Sequence, residues 1–468
     1  MIKKTLLFVM LLLPTAAMDG QVHLDSYIAE GLKNNLSLQQ EEFSLEKSLA
    51  ALKEARGMFL PTISIQARYS RAGGGRMIYF PVGDMLNPIH SSLNSLFQYH
   101  DIVADFPTDI PNEQIPFLRE KEQETKIRVV QPIYQRAIFH NVKLKSALNR
   151  INQARVNVFK RQLITDIKTA YFNYAKALQV AELLDQTRAL LEENLRVSEN
   201  LVKHGKATED VVYRAKAELA DLDLQNAEAE KNKTLAAAYF NFLLNRNLEE
   251  PIQMDKIHSH PLPEKDSLET AIVRALSLRQ ESQQLNHAIT AASHQIGLAK
   301  SRSLPALLAV LDYGIQGEQY SLGKDDDYWM ASLVLEWTLF NGNQNRTKKT
   351  QAMLDKKKLE LQRLELEEWI KIQVHEAHST LKAARLAVSA AEEKEESARQ
   401  SYAIVAKKYK NGMEPQITLL DARNTLTNAS INRIMTLYDF YIKKAKFERA
   451  SASIDLDKYR ENKGENNE

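Results

Sequence analysis

The chain has 468 residues, a length that suits two or three domains, and it carries 62 basic against 60 acidic side chains. Glycine (15) and proline (13) are sparse and 26% of residues are charged, which points to long helices and argues against an all-β or disordered chain. The charge balance lacks the basic excess that marks a nucleic-acid partner, and the absence of cysteine excludes a structural disulfide.

Residues 1–17 read as a secretory signal peptide. Met1-Ile2-Lys3-Lys4 is a basic start, Leu6 to Leu13 a short apolar run, and Pro14-Thr15-Ala16-Ala17 a small-residue cleavage site. The apolar run is far shorter than the ~20 residues of a spanning helix. Cleavage removes Lys3 and Lys4, so the exported chain is close to neutral. It also has no N-terminal cysteine to carry a lipid.

The remainder is an internal repeat, residues 18–245 and 267–455, joined by a linker at 246–266 that contains Pro251, Pro261 and Pro263. Leu60-Pro61 matches Leu304-Pro305, and at the same spacing Ile28, Leu32, Ala55 and Tyr69 match Ile272, Leu276, Ala299 and Tyr313. Each half reads helix, strand, strand, very long helix, glycine turn, returning helix.

In the first half, strands are predicted at about 61–70 and 126–134. From Thr62 to Tyr69, polar Thr62, Ser64, Gln66 and Arg68 alternate with apolar Ile63, Ile65, Ala67 and Tyr69, the period-two pattern of a strand with two unlike faces. Between the strands lies an external loop, about 71–125, with Gly73-Gly74-Gly75 and an apolar patch at Leu93, Leu96, Phe97 and Tyr99. A lid, a receptor-binding loop and a plain insertion all fit it. A long hairpin follows at 137–245. Its first helix carries Leu163, Ile167, Ala170, Tyr174, Ala177, Ala181 and Leu184 in steps of three and four and resumes at Leu191, the 3.5-residue repeat of helices in coiled-coil contact.

The second half predicts strands at about 305–314 and 330–340 and a hairpin at 343–455. Ile370, Val374, Ala377, Leu381, Val388 and Ala391 repeat the stripe. Both stripes break at one shared heptad position, Arg188 and Glu395, and the first breaks again at Ser198. Each long helix, at 137–204 and 343–411, would be on the order of 100 Å long. Residues 456–468 read as a polar tail.

Each predicted strand is about nine to eleven residues, the span of a tilted transmembrane β-strand. Tyr69, Tyr313, Tyr328 and Trp329 sit near strand ends, where aromatic girdles belong. Four strands cannot close a barrel, and an open edge is not viable in lipid. Two copies give eight strands and a filled barrel, while three give twelve and leave room for a lumen.

The sequence resembles the TolC-type outer-membrane efflux and secretion family along nearly all of the exported chain. The residues that carry the resemblance are the two Leu-Pro steps, Gln131-Pro132-Ile133-Tyr134, Leu339-Phe340-Asn341-Gly342 and the turns around Gly205 and Gly412. The resemblance implies a mainly α-helical fold with a transmembrane β portion. A homotrimer of four strands per protomer would form a 12-strand β-barrel in outer-membrane lipid of a Gram-negative bacterium, continued by a 12-helix periplasmic α-barrel. It implies a passive exit duct for tripartite efflux or type I secretion, docked to a periplasmic adaptor protein and an inner-membrane pump of RND, ABC or MFS type.

The family also implies roles for tip residues. Gly205 and Gly412, with His204, Lys206, Asn411 and Met413, match positions where adaptor hairpins dock. Asp210, Tyr409 and Asp421 match the lock that closes the tip. Glu414 and Thr418 depart from it, standing where an arginine and a second aspartate would be.

No enzyme is expected, and neither a cofactor nor a metal. His375-Glu376-Ala377-His378 places its histidines three apart, where the zinc-protease pattern needs four. His258 and His260 lie in the linker without a partnered cluster. The alternative to a channel is a periplasmic coiled-coil adaptor or scaffold without a membrane barrel. Adaptors typically have one hairpin between β-rich domains, whereas this chain has two hairpins and about four strands.

Overall fold

The computed structural model describes residues 22–255, 267–319, 326–411 and 413–459. The expected signal peptide, most of the linker with His258 and His260, Gly412 and residues 460–468 lie outside the described residues. The chain divides into two units. A helical unit takes residues up to Ala50, Lys145–Ala292 and those from Leu354 onward, and a sheet-bearing unit takes Ala51–Leu144 and Ser293–Met353.

In chain order the elements are α1 (Val22–Asn34), α2 (Leu36–Gly57), β1 (Thr62–Arg71), β2 (Met77–Phe80), α3 (Val82–Tyr99), β3 (Glu113–Pro116), β4 (Lys121–Tyr134), α4 (Arg136–Lys203) and α5 (Asp210–Leu244). The second half runs α6 (Leu268–Leu278), α7 (Gln280–Ser301), β5 (Ala306–Gly317), β6 (Asp327–Glu336), α8 (Gln344–Lys410) and α9 (Gln416–Ala450), then a 3₁₀ turn at Asp457–Tyr459.

The helical unit is framed by two antiparallel hairpins, α4 with α5 and α8 with α9. The 3.5-residue stripes are their buried seams. Ile370, Val374, Leu381 and Val388 of α8 are at most 2% exposed and pack with Leu437, Phe440 and Phe447 of α9. Ala181, Leu184 and Leu191 of α4 meet Leu222 and Ala229 of α5.

The polar interruptions of the stripes have distinct fates. Arg188 turns outward to Asp223 of α5 at 2.7 Å, and Thr187 takes the buried place. Glu395 stays in the seam, 8% exposed, where the Ser430 hydroxyl donates to it at 2.7 Å and Arg433 pairs with it at 2.6 Å. A buried carboxylate persists only when such partners surround it.

The duplicated first helix is two helices in each half, since the chain breaks at Asn35 and again at Arg279. Asn35 caps α2 by accepting the Leu38 N–H at 3.0 Å and ties to the Leu243 carbonyl at 2.9 Å. Arg279 instead reaches Gln373 of α8 at 2.6 Å. Helix α1 lies so close to α4 that a Cβ on Gly31 would stand 2.4 Å from the Ile167 side chain. The matching residue on α6 is the fully buried Ala275, packed with the α8 seam.

The described end of the linker is a strap. Asp255 accepts the N–H groups of His23 and Leu24 at 3.0 and 2.9 Å, capping α1 from a distant point in the chain, and the Tyr171 hydroxyl donates to it at 3.1 Å. Burial and the adjacent carboxylate hold the Tyr171 hydroxyl well above the usual phenol range.

The C-terminal tail is docked through Tyr459. Ile454 is buried, and Lys458 and Tyr459 contact Asp25 of α1 at 2.7 and 3.2 Å. Helix α9 accordingly ends at Ala450, short of the expected 455.

In the sheet unit the four long strands form one antiparallel sheet in the order β1-β4-β5-β6. Strand β4 begins at Lys121, earlier than expected, because Arg71 to Ser64 pair with Lys121 to Arg128 without a break. Strand β6 ends at Glu336, and residues 337–340 leave the sheet. Both Leu-Pro steps follow the same turn, Leu60 N–H to the Gly57 carbonyl and Leu304 N–H to the Ser301 carbonyl.

The 71–125 segment is an ordered insertion, not a bare loop. It holds the β2–β3 hairpin and the helix α3, and its last residues belong to β4. Among the described residues no helix is long and apolar enough to cross a membrane.

Replacing Asp255 by Ala strands three donors at the strap, each costing about 1–3 kcal/mol when buried without an acceptor. Urea unfolding of the detergent-purified protein should show a loss of at least about 2 kcal/mol, while the exposed Glu249→Ala should stay within about 0.5 kcal/mol.

Candidate functional site

The four-stranded sheet has two unlike faces. Register places Ile63, Val129, Leu311 and Ala331 in one cross-strand row and Ile65, Ile127, Tyr313 and Trp329 in the next, with Leu307 beside Leu335. Ile63, Ile65, Leu311, Tyr313, Trp329, Leu333 and Leu335 are each 46–75% exposed. Such a large exposed apolar surface needs an apolar environment.

The opposite face is charged. Arg128 of β4 grips Asp312 of β5 with two hydrogen bonds at 2.8 and 2.7 Å, and the Asp312 side chain is fully buried by the contact. Lys126 reaches Glu124 at 2.6 Å, and the Tyr328 hydroxyl donates to Glu124 at 2.8 Å. Tyr328 therefore belongs to the charged face, opposite Trp329, and is not part of an apolar aromatic girdle. Gly314 lies on this same face beside Lys126, where a Cβ would meet the Thr125 carbonyl at 2.3 Å, so a side chain there would split the pairing of β4 with β5.

Strands β1 and β6 are the sheet's edges, and neither has a second neighbour among the described residues. Both strand connections, 72–120 and 318–326, leave from one end of the sheet. The long helices α4 and α8 leave from the other.

At the far end of the helical hairpins, Gly205 closes α4 with φ +68°. Its N–H bonds to the Val202 carbonyl at 2.9 Å and the Lys206 N–H to the Leu201 carbonyl at 2.8 Å, the paired bonds of a Schellman turn. The Met413 N–H repeats the second bond to the Lys408 carbonyl at 2.9 Å. His204, Lys206, Asn411 and Met413 are all exposed around these turns. Gly412 lies outside the described residues.

The three residues that match the lock, Asp210, Tyr409 and Asp421, and the two that depart from it, Thr418 and Glu414, are not joined to one another. Asp210 and Asp421 are exposed, and Thr418, Glu414 and Tyr409 are partly buried. Asp210 accepts the Thr208 hydroxyl and lies 3.9 Å from Arg214. Glu414 pairs with Lys408 of its own hairpin at 3.4 Å. Burial raises the Tyr409 hydroxyl above the usual phenol range.

The buried polar links near the tip run through other residues. The Gln416 side chain, 7% exposed, donates to the hydroxyl of Ser198 at 3.0 Å and to the Val211 carbonyl at 3.3 Å. Arg423, also 7% exposed, donates to Glu218 at 2.7 Å, and Asn424 donates to the same carboxylate at 3.2 Å. Both links tie α9 to the α4–α5 hairpin. The polar break at Ser198 was their one sequence signal, whereas Arg423 and Glu218 belong to no repeat.

Among the described residues no group of three or more histidine, aspartate or glutamate side chains can hold a metal ion. His378 packs its ring against Phe447 at 5.8 Å, and His375 is exposed.

The family model "Outer membrane efflux protein" matches residues 271–452. By structure the chain is similar to the CmeC outer membrane channel of Campylobacter jejuni, with 16% identity and a TM-score of 0.74 over 92% of this chain and 85% of that one. It is similar to the outer membrane protein VceC of Vibrio cholerae, with 13% identity and a TM-score of 0.72 over 92% and 96%. It is also similar to the open state of the MtrE outer membrane channel of Neisseria gonorrhoeae, with 16% identity and a TM-score of 0.72 over 92% and 88%. Compared by sequence with curated proteins, the chain finds no match. The family's sequence pattern thus lies in the second half of the chain, and the two-faced sheet and paired helical hairpins give the whole chain the fold of these outer membrane channels.

Proposed function

We propose that three copies of this chain close a twelve-stranded barrel in the outer membrane and continue it as a helical tunnel through the periplasm. This duct is passive, and a periplasmic adaptor joins it to an inner-membrane pump of the RND, ABC or MFS type. The observation that carries the reading is the sheet itself, with one apolar face, one charged face and two open edges. In lipid the edges must pair, and the next copy supplies the missing neighbour. The apolar face then meets hydrocarbon and the charged face lines water.

The flanks of the hairpins also favour a neighbouring copy. Leu224, Leu235, Tyr239 and Phe242 of α5 and Leu361, Trp369, Ile372 and Leu386 of α8 are each more than half exposed. A neighbouring copy would cover these stripes.

The tip acts as the gate in this reading, with Asp421 facing the entrance and repelling anions. Thr418 thins the carboxylate ring, Glu414 replaces the arginine of the lock, and Tyr409 and Asp210 flank the ring. The links Gln416 to Ser198 and Arg423 to Glu218 hold the two hairpins of one protomer together, so they favour the closed tip. Gly205 and Gly412, with His204, Lys206, Asn411 and Met413, form the surface that receives the adaptor.

Fractionation tests the assembly. A heat-modifiable trimer in the outer membrane is expected, and recovery as a soluble periplasmic monomer would favour the adaptor or scaffold reading. In planar bilayers, Asp421→Ala should lose cation preference. Arg423→Ala removes a link of about 1.5 kcal/mol per protomer and should shift each protomer's tip roughly tenfold towards open, seen as higher conductance. Unchanged traces in both variants would remove these residues from the gate. A cysteine at His204 should cross-link to the adaptor in cells, and a cysteine at the mid-hairpin Asn226 should not.

A further inference from the structure

We propose that α3 is one element of a lid, in which the α3 helices of three subunits pack seam to seam over the outer mouth of the barrel. The inference rests on the trimer proposed above. Helix α3 has two opposite faces, and the described residues of its own chain cover only one. The Asn87 amide both donates to the Ile110 carbonyl and accepts the Ile110 N–H, each at 2.9 Å. Asn94 does the same with Phe106 at 2.7 and 2.8 Å, and the His90 ring lies 2.8 Å from the Pro107 carbonyl. Phe97 stacks on Phe106. These bonds clamp residues 106–110 along the helix and fix which way it faces.

At 3.6 residues per turn, the side away from the clamp carries Met85, Ile89, Ser92, Leu96 and Tyr99. Their steps of four and three are the spacing of a helix that meets other helices. The four large side chains of this seam are exposed, Met85 at 65%, Ile89 at 54%, Leu96 at 54% and Tyr99 at 83%. Ser92, at the middle, is small enough for close approach, and its hydroxyl is satisfied within the helix by the Pro88 carbonyl at 2.8 Å.

Three observations select a second copy as the occupant. A symmetric contact sets each seam residue near its own counterpart, so any charge would meet its like, and this seam has none. Asp84 is the helix's single charged side chain, and without lysine or arginine α3 lacks the basic face of a helix that lies on lipid. The insertion also departs from Arg71, the last residue of the edge strand β1, where the next copy must pair. The seam is thus continuous with the subunit joint, on the rim opposite the departure of α4 and α8.

The cysteine-free chain allows a direct test. Ile89→Cys and Leu96→Cys, oxidised in outer-membrane preparations, should give a covalent dimer that reductant dissolves, because three clustered thiols form one disulfide. Ser91→Cys, exposed on the helix flank away from the seam, should stay monomeric. Oxidation of the seam variants should lower single-channel conductance, and reductant should restore it. If heat-modifiable trimers form and neither seam variant cross-links, the lid is wrong and the channel stands. If no trimer forms, the channel reading fails and the lid with it. A photo-crosslinking side chain placed at Tyr99 that captures lipid or a different protein, rather than a second copy, would also overturn the lid.

Discussion

A strand at the edge of a sheet presents a row of N–H and C=O groups, and hydrocarbon offers them no partner. On the proposed reading that constraint falls on β1 and β6, which have no second neighbour among the described residues while one face of the sheet is apolar from edge to edge. The protomer would be incomplete as a membrane structure on its own. The rest of its architecture follows from supplying the missing neighbours by symmetry, and on the proposed reading the barrel, the tunnel and the lid all inherit one axis from that requirement.

The helical hairpins meet the opposite demand. They stand in water and must bury apolar surface without a globular core, so each is a narrow seam of alanine, leucine and isoleucine with charged flanks. Long seams risk slipping in register, because one heptad looks much like the next. The buried polar contacts counter this. Glu395 with Ser430 and Arg433 pins α8 to α9 at one level, and Ser198 with Gln416 pins α4 to α9 at another. A misplaced register would leave each of these groups buried without a partner, at a cost larger than the apolar contacts it could regain. Residues that interrupt the stripe therefore help to specify its alignment.

The charged face of the sheet obeys a related rule. Asp312 is wholly covered, yet Arg128 and Lys126 surround it, and Tyr328 completes the chain through Glu124. The pairs join β4, β5 and β6 across the strands. A face held by such pairs exposes little uncompensated charge, and on the proposed reading discrimination among ions then falls to the tip, where Asp210 and Asp421 stand exposed.

Much of this was legible before any coordinates. The duplication, the order of elements, the two-faced strands and the heptad seams are periodic, and a period in sequence maps directly onto a face in space. The glycine at 205 was legible for the same local reason, since a left-handed turn needs it.

Tertiary structure decided what no period encodes. Asp255 caps α1 from across the chain, and Arg423 finds Glu218 on a different hairpin. The 71–125 segment folds around asparagine side chains that bond to a distant backbone, a pairing with no local sequence signature. The familiar lock positions matched by resemblance did not meet one another, while Gln416 and Arg423, unremarked in the sequence, did. Local geometry sets faces and turns. Which faces meet depends on the summed packing of residues far apart in the chain, and only the folded protein records that sum.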